Sequence, residues 1–475
     1  MLMPSRLWRD GFFYTLVNVI VLLPSQHQIV IAMLRQKLRY LLFLSLIILS
    51  SCSDLNDDLN INPNTFTTAP GYKLLQHSQL GVVNISSGEI SRLVGIWTDQ
   101  FQATDRGYLI GQYEFYPESY DSKWTSFYLG GCQNSYLAMN QAIESGHSLE
   151  ECIAKIMLAI YFGEAAALWG DIPCRESFNI HDYPNPKFDP QKQVFEDVQI
   201  LLTEAIENLE NAFVATAYGQ PVFVPNEASW AEVAHSLKAR YYLITKDYEQ
   251  ALIESKMGIS SPKGNLLSAH RDEEGAKNLY YQLLVEQRQG FIGAANSHLV
   301  QLMTGETPRE LITPGDAYRF NYYFQEGDYD LALNTSADGV FAPDASFPII
   351  SWIETRLIEA EASLRTGVGD ALVPFNEVRD QLHLQYGDGF PHSASSGEQL
   401  LKQILEEKYI SLIASLQTFH DLRRTKNLLE IPFIRRYGVE NKIHPERFLY
   451  PQIEINTNSN FPGLIDIYKP TPVNQ

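Results

Sequence analysis

The chain has 475 residues, of which 36 are lysine or arginine and 56 are aspartate or glutamate, giving a formal net charge of -20. Hydrophobic residues make up 45% of the chain, which is enough for a large core, and charged residues at 19% are too few for a disordered polyampholyte. Because the acidic balance repels a phosphate backbone, we expect no nucleic acid as a partner.

No apolar stretch in the sequence is expected to reach the roughly 18–20 residues of a membrane-spanning helix, which excludes a polytopic membrane protein. Two shorter apolar runs lie near the N-terminus. The second run, Leu41–Leu49, follows several basic residues and precedes two serines and a cysteine. This is the layout of a secretory signal. Because Met33 begins a complete signal by itself, we interpret residues 1–32 as a non-native upstream extension and residues 33–51 as the signal peptide.

The end of this signal predicts a lipid anchor at Cys52. A leucine, two serines and the cysteine resemble the lipobox of bacterial lipoproteins, in which cleavage falls before the cysteine and the cysteine carries the lipid. Residues 52–70 are rich in turn-forming residues and read as a flexible tether. The acidic SDLNDD after Cys52 resembles the signal that exports lipoproteins of the Bacteroidetes to the outer cell face. An acidic surface does not bind anionic headgroups, so the lipid is the only membrane contact that we expect.

Three cysteines remain after Cys52, an odd number without CxxC spacing. At most one pair could form a disulfide, and buried free thiols are the favoured interpretation. These residues are Cys132, Cys152 and Cys174.

Helical periodicity begins at about residue 121. Apolar residues at three- and four-residue steps predict a helix there, and a second candidate from about 149 to 169 is apolar on nearly every side, as is typical of a buried helix. Asp189 followed by proline predicts the capped start of a third helix.

A fourth helix follows Ser229 and Glu232, which have the spacing of a capping box. Residues 245–247 end this helix, and an antiparallel neighbour begins at Tyr248. Helix pairs with short turns are typical of tetratricopeptide-type units.

Periodicity fades between about 260 and 348 and returns in helices predicted at 352–365, 372–384 and 399–416. A long stretch without periodicity inside a compact domain is usually functional. A basic turn is predicted at Arg423-Arg424, whose side chains we expect in buried ion pairs with carboxylates. No composition break divides residues 71–475, so we predict one domain.

Six segments with recognisable patterns lie in order along the chain. They are DLNINPNTFTTAP (58–70), ALWGDIPCRES (167–177), SWAEVAHSLKARYYL (229–243), ETRLIEAEASLRTG (354–367), EEKYISLIASLQTFHDLRRT (406–425) and RFLYPQIEINTN (447–458). Together they resemble the SusD/RagB family of outer-membrane nutrient-binding lipoproteins. Each is weak alone, and their order makes the resemblance specific. One departure is Lys408, where the family often has arginine.

The resemblance implies a mainly α fold, in which tetratricopeptide-like helix pairs form a right-handed scaffold with a large loop-rich ligand-binding portion. It implies non-covalent capture of extracellular oligosaccharide, or of peptide in some members, and transfer to a SusC-like TonB-dependent transporter in the outer membrane. It implies neither covalent chemistry nor a cofactor.

Sugar binding needs flat apolar faces for stacking, together with amides, carboxylates or arginine that bond hydroxyl groups. Two segments without clean helical spacing offer both, which favours their presentation at the surface. Burial of the aromatic residues beneath long loops is the alternative for any one of them. The candidates are Trp97, Gln100, Asp105, Arg106, Tyr108, Tyr113 and Tyr116 in the first segment, and Arg319, Asn321 and Tyr322 in the second.

Enzyme motifs are missing from the sequence. It contains no HExxH, GxSxG, phosphate-binding loop or dinucleotide fingerprint, and no metal site is predicted. The alternatives to an oligosaccharide-binding lipoprotein are a peptide-capturing lipoprotein and a tetratricopeptide-type envelope scaffold without a small ligand, with a glycosidase as a distant further alternative.

Overall fold

Helices account for most of the structure, and short strands lie in the segments between them. The structure is a computed structural model that describes residues 35–38, 69–104, 116–209, 222–223, 225–327, 330–433, 435–436, 439–440 and 443–475. Residues 35–38 are helical, and Pro70–Gln475 form one compact unit. The helices are α1 Gly71–Ser87, α2 Glu89–Trp97, α3 Asp121–Phe127, α4 Gln133–Ser145, α5 Ser148–Trp169, α6 Gln191–Leu209, α7 Trp230–Ile244, α8 Tyr248–Met257, α9 Leu279–Tyr281, α10 His298–Thr304, α11 Asp316–Tyr323, α12 Trp352–Thr366, α13 Leu372–Tyr386, α14 Gly397–Ser411, α15 Gln417–Arg424 and α16 Gln452–Thr457. The strands are β1 Gln102–Ala103, β2 Leu266–Ser268, β3 Ile292–Gly293, β4 Phe324–Gly327, β5 Asp330–Leu333, β6 Phe347–Ile350, β7 Arg435–Arg436 and β8 Val439–Glu440.

The helices predicted between residues 121 and 169 are confirmed. A π-helical turn at Tyr128–Cys132 joins α3 to α4, and Gly146 ends α4 in the left-handed conformation, with φ 70°. α5 is buried along nearly all of its length, as its apolar composition predicts. By length and composition α5 could cross a membrane, so the expectation that no such segment exists is wrong. Its apolar window is entirely buried inside the protein, which identifies it as the central core helix.

The start of α6 differs in detail from the prediction. Pro190 occupies the position before the helix, and the carboxylate that caps α6 belongs to Asp171, whose Oδ1 accepts a hydrogen bond from the backbone N–H of Gln191 at 2.8 Å. Asp189 instead accepts hydrogen bonds from the backbone N–H groups of Cys174 and Arg175, both at 2.9 Å. The cap comes from a residue distant in sequence because the loop after α5 folds back over the start of α6.

The pair α7 and α8 forms as the sequence predicts. The Ser229 side chain accepts a hydrogen bond from the backbone N–H of Glu232, and the Glu232 carboxylate accepts one from the backbone N–H of Ser229, which completes the capping box. Asp247 caps α8 by accepting a hydrogen bond from the N–H of Gln250. Successive helices from α4 to α8 pack against one another, and α12 packs against α8, α13 and α14, which gives the tetratricopeptide-like scaffold.

Residues 260–348 contain short elements in place of a long helix. The described strands pair as antiparallel two-stranded sheets, β1 with β3, β2 with β6, β4 with β5 and β7 with β8. The β1–β3 pair joins the segment after α2 to this region, with Gln102 opposite Gly293. The second candidate segment for sugar binding, which contains Arg319, Asn321 and Tyr322, was expected to be non-helical and at the surface. This prediction is wrong for residues 318–323, because they belong to α11.

The buried ion pairs predicted for the end of α15 are confirmed in part. Arg424 donates two hydrogen bonds to the carboxylate of Glu361, at 2.6 and 2.8 Å, and a third to Asp421 at 2.7 Å. Lys408 lies 2.8 Å from the same Asp421, so the lysine keeps the cation that this position needs. Arg423 donates its hydrogen bonds to backbone carbonyls and to His420.

Candidate ligand-binding cleft

A cleft of about 1050 Å³ opens where segments distant in sequence meet. Its walls are the turn after α2 with β1, the start of α10, the end of α15 with the loop that reaches Phe433, and two C-terminal segments, 443–446 and 470–475. A volume of this size is typical of a ligand site rather than of a packing defect. Each wall comes from outside the α4–α8 scaffold. The scaffold helices therefore support the cleft without lining it.

The turn after α2 is held by hydrogen bonds to three other parts of the fold. The Gln100 amide donates to the carbonyl of Tyr409 at 2.7 Å and accepts from the N–H of Ala414 at 2.9 Å. Asp99, which lines the cleft, caps α10 by accepting a hydrogen bond from the N–H of His298 at 3.1 Å. This wall is therefore fixed before any ligand arrives.

Backbone strain is concentrated around the cleft. Among the described residues, the non-glycine residues with positive φ include Asp99, Lys426, Asn427 and Glu430, with φ between 53° and 54°, and all four line the cleft. A left-handed conformation is unfavourable for residues with a Cβ atom and persists only when the surroundings impose it. Because such strain clusters at ligand sites, its location supports the assignment of this cleft as the functional site.

Carboxamide side chains supply much of the polar lining. Asn296 is exposed and Gln301 is half-buried, and their side-chain amides form no hydrogen bond within the described chain. The side-chain oxygen of Asn474 is buried and unpartnered in the described structure, although the residue lines the cleft. An unpaired buried acceptor is costly. A hydroxyl donor from a ligand would satisfy it.

One aromatic side chain gives the cleft an apolar face. Phe433 is half-buried and packs on His444, with ring centroids 4.8 Å apart. Phe101 also lines the cleft, but its side chain is fully buried. Among the residues that the structure describes, Phe433 is therefore the aromatic side chain of the cleft that can stack on a ligand.

The charged groups of the cleft perturb one another. Burial raises the pKa of Glu446, and the nearby Arg423, Lys426 and Lys246 oppose that rise. Burial lowers the pKa of Arg423 to about 9, and Arg447 contributes in the same direction. Burial also lowers the pKa of His444, which favours its neutral form.

Two of the predicted contact residues in the first segment are structural. Trp97 and Gln100 are both fully buried. The Trp97 ring packs edge-on against Phe419 and Phe448, with centroids 5.5 and 5.4 Å apart, and the Gln100 amide is occupied by the backbone bonds described above. Neither side chain presents a surface to a ligand, so the alternative of core packing applies to both.

Arg319 is also structural. It is fully buried and donates hydrogen bonds to Glu407 and Asp316, both at 2.6 Å. Arg309 and Arg379 pair with the same two carboxylates, Arg379 with Glu407 alone. Together the arginines hold the pKa of Glu407 well below its ordinary value, against the opposing effect of burial. The sequence gives no sign of this network because its members come from distant segments: Arg309 and α11 on one side, α13 and α14 on the other.

The remaining candidates divide by location. Tyr116 is 73% exposed. Asn321 is exposed and Tyr322 half-buried on α11, and neither lines the cleft. Asp105, Arg106, Tyr108, Tyr113 and the anchor residue Cys52 lie outside the described residues.

Sequence reasoning missed the cleft walls from α15 onward. Lys426, Glu430 and Phe433 follow a motif that was interpreted as purely structural, and the C-terminal residues carry no recognisable binding pattern. The positive φ values of Lys426 and Glu430 are a property of the tertiary structure. Only the Asn and Gln content of these segments was available as a signal.

The structure also bears on metal and cysteine chemistry. Among the described residues, no group of His, Cys, Asp or Glu is arranged to hold a metal ion. Cys132, Cys152 and Cys174 are free thiols. The interpretation of buried free thiols is confirmed for Cys132 and Cys152, whereas Cys174 is half-buried. Burial raises the pKa of Cys152 to about 11.

The fold and the cleft define a helical-repeat protein that carries a large open cleft beside its scaffold. The chain belongs to the SusD-like family described as "Starch-binding associating with outer membrane", which matches residues 63–451. A comparison with curated protein sequences gives no match.

Solved structures show the same fold at low sequence identity. A SusD/RagB family protein from Bacteroides thetaiotaomicron is 18% identical, with a TM-score of 0.65, and the alignment covers 86% of this chain and 99% of that one. A chitin-binding SusD homolog from Flavobacterium johnsoniae is 14% identical, with a TM-score of 0.67 and coverage of 86% and 97%. A SusD homolog from Bacteroides fragilis is 17% identical, with a TM-score of 0.64 and coverage of 86% and 100%.

Proposed function

We propose that this protein is a cell-surface lipoprotein that binds an extracellular oligosaccharide without altering it and passes it to a SusC-like TonB-dependent transporter. The observation that carries the proposal is the cleft, which combines unpaired carboxamides and an orphaned buried acceptor with one aromatic face. Membership of a family described as starch-binding, and a chitin-binding relative of the same fold, support a carbohydrate as the ligand.

Binding follows from the chemistry of the lining. A pyranose ring stacks its C–H face on Phe433, and the planar amides of Asn296 and Gln301 bond its hydroxyl groups. Asn474 accepts a hydrogen bond from a hydroxyl that reaches its buried oxygen. Because the turn after α2 is already fixed, little ordering free energy opposes binding at this wall. Tyr116 remains a proposed further contact on account of its exposure.

The cell-surface location rests on the signal peptide and the lipid at Cys52, both outside the described residues, and on the family's association with an outer membrane. Transfer to a transporter is proposed because an anchored receptor needs a route for its ligand across the membrane. Asn321, which is exposed, and Tyr322, which is half-buried, are proposed as a separate contact surface on α11.

Isothermal titration of the full chain against a panel of oligosaccharides tests the binding proposal. We expect one glycan class to bind, and Phe433→Ala to weaken that binding about tenfold, as the loss of roughly 1.4 kcal/mol of stacking predicts. Tyr183→Ala is the matched control, because Tyr183 is a partly exposed aromatic residue outside the cleft lining. Equal weakening by both variants, or release of sugar by the protein, would contradict the proposal, and binding of peptides alone would favour the peptide-capturing alternative.

A further inference from the structure

One end of the cleft has an excess of positive charge in a chain whose net charge is -20. Arg423 and Lys426 line this end together with Glu446. Lys246 and Arg447 are close enough to change the pKa values of these groups. Among the described residues, no carboxylate forms an ion pair with any of these four cations. Glu446 is close enough to affect the pKa values of Arg423 and Lys246. Glu164, which bonds Arg240 and His420, also affects the pKa of Arg423.

The two lysines occupy equivalent positions at the ends of two helices. Lys246 follows α7 and Lys426 follows α15, with φ 66° and 54°. In each case the lysine N–H bonds the carbonyl three residues back, and the next N–H bonds the carbonyl five residues back, which is the Schellman motif. Glycine is the usual residue at this left-handed position, so each lysine is held there against its backbone preference.

The helix ends lie side by side. α7 and α15 are in contact, and the Glu164 carboxylate bridges them by accepting hydrogen bonds from Arg240 at 3.3 Å and from His420 at 2.8 Å. Each of these donors lies four residues before the last residue of its helix. The bridge therefore holds the two helices together about 6 Å before each C-terminus. Each lysine follows two residues after its helix end, and Lys426 is close enough to add to the burial that lowers the pKa of Lys246.

Helix C-termini attract cations, and this effect alone would explain one lysine at each end. It does not explain why two lysines in strained conformations are placed beside each other, next to a buried arginine without a carboxylate partner. Two positive charges close to each other repel, and an anion bound between them would remove the repulsion.

We propose that this end of the cleft is a subsite for an anionic substituent of the ligand, a uronate carboxylate or a sulfate ester, bound by Lys426 in the cleft lining, with Lys246 and Arg423 adding positive charge nearby. The inference rests on the proposed oligosaccharide function and narrows it to acidic glycans. The other carboxylates in the lining are Asp99, which caps α10, and Glu430, which is exposed like Lys426. Glu430 and Glu446 together offset two of the four positive charges, so the subsite stays cationic.

Titration of the full chain with matched oligosaccharide pairs tests the subsite. The probes are oligogalacturonates, their fully methyl-esterified forms and a sulfated oligosaccharide with its desulfated partner. We expect an acidic member to bind more tightly than its neutral partner, with an affinity that falls as salt concentration rises. Lys426→Gln should weaken acidic binding about three- to fivefold, as the loss of one exposed ion pair predicts, and weaken neutral binding less, so that the preference for the acidic member falls. The double variant Lys246→Gln/Lys426→Gln should lose more.

Lys263→Gln is the matched control, because Lys263 lies beside the N-terminal end of α7 and outside the cleft lining. It should leave both affinities unchanged. Neutral glycans that bind as tightly as acidic ones, with no effect of Lys426→Gln, would overturn the anionic subsite and leave the proposed function intact. Failure of every glycan to bind would overturn both the subsite and the proposed function. Binding of acidic peptides alone would show that the ligand is a peptide and not a glycan.

Discussion

Arg240 and Glu354 form a buried two-point ion pair, in which Nε and Nη2 of the arginine each lie 2.7 Å from a different carboxylate oxygen. The pair joins α7 to α12, and Arg240 also contacts Glu164 on α5 at 3.3 Å. Helices α5, α7 and α12 therefore meet at the guanidinium group of Arg240.

Glu354→Ala should destabilise the protein by about 3–5 kcal/mol, because it leaves a buried arginine without its principal carboxylate. Urea unfolding of the full chain measures this change. The matched control is Asp197→Asn, which breaks the Arg175–Asp197 pair of similar geometry, at 2.7 and 2.8 Å, where Arg175 is 53% exposed. We expect a loss below about 1 kcal/mol for the control. Similar losses for both variants would show that burial is not the deciding factor.

Acid should weaken the bridge between α7 and α15. The pKa of Glu164 lies below its ordinary value of 4.5, since hydrogen bonds and charges from His420, Arg240 and Gln417 outweigh the opposing effect of burial. Burial lowers the pKa of His420 as well. In both cases the unfolded chain binds the proton more readily, so stability falls as pH decreases below the unfolded pKa of each group.

Glu164→Gln tests this pH dependence. The variant should be less stable than the natural chain at pH 7, and the difference should shrink as pH falls below about 4.5, where the carboxyl group becomes protonated in the unfolded chain and, lower still, in the folded one. Unfolding midpoints measured between pH 7 and pH 3 follow the change. A difference in stability that stays constant with pH would show that the charge of Glu164 does not contribute, and that its packing and hydrogen bonds do.

Trp97 should behave as a core residue. Trp97→Ala should cost about 3–5 kcal/mol of stability, because the indole fills a fully buried position between Phe419 and Phe448. Trp97→Phe retains an aromatic ring there and should keep both the fold and the affinity for any ligand found in titration. Loss of ligand affinity by Trp97→Phe at unchanged stability would show that Trp97 contributes to ligand binding.

Relief of backbone strain should separate stability from binding at Lys426. Lys426→Gly places the usual residue at the left-handed position and should stabilise the protein by up to about 1 kcal/mol. Lys426→Gln removes the charge but keeps the strain, so it should lack this gain. Thermal unfolding distinguishes them, and no gain from glycine would show that the lysine is unstrained. Both variants should lose acidic-ligand affinity to the same extent.

The sequence predicts elements whose determinants are local. The capping box at Ser229 and Glu232 and the burial of α5 are of this kind, because capping and hydrophobic periodicity depend on nearby residues. Interactions between distant segments were harder to predict. Asp171 rather than Asp189 caps α6, and α11 lies where aromatic residues suggested a surface loop.

The candidate site was predicted least well. Aromatic and amide residues suit both a core and a sugar site, so composition could not distinguish Trp97, which is buried, from Phe433, which lines the cleft. The deciding properties are exposure and the meeting of the turn after α2 with the end of α15. Both depend on tertiary packing.

Helix α5 also matters before the protein folds. On the proposed export route, an apolar segment of 22 residues would cross a lipid bilayer unfolded, where lateral partition into the lipid competes with passage. Lys155 lies within this segment, and a lysine at the middle of a spanning helix opposes insertion by about 3 kcal/mol. In the folded protein, Lys155 pairs with Glu204 and Glu164 pairs with His420. During export, the same two charged residues of α5 oppose its insertion into the bilayer.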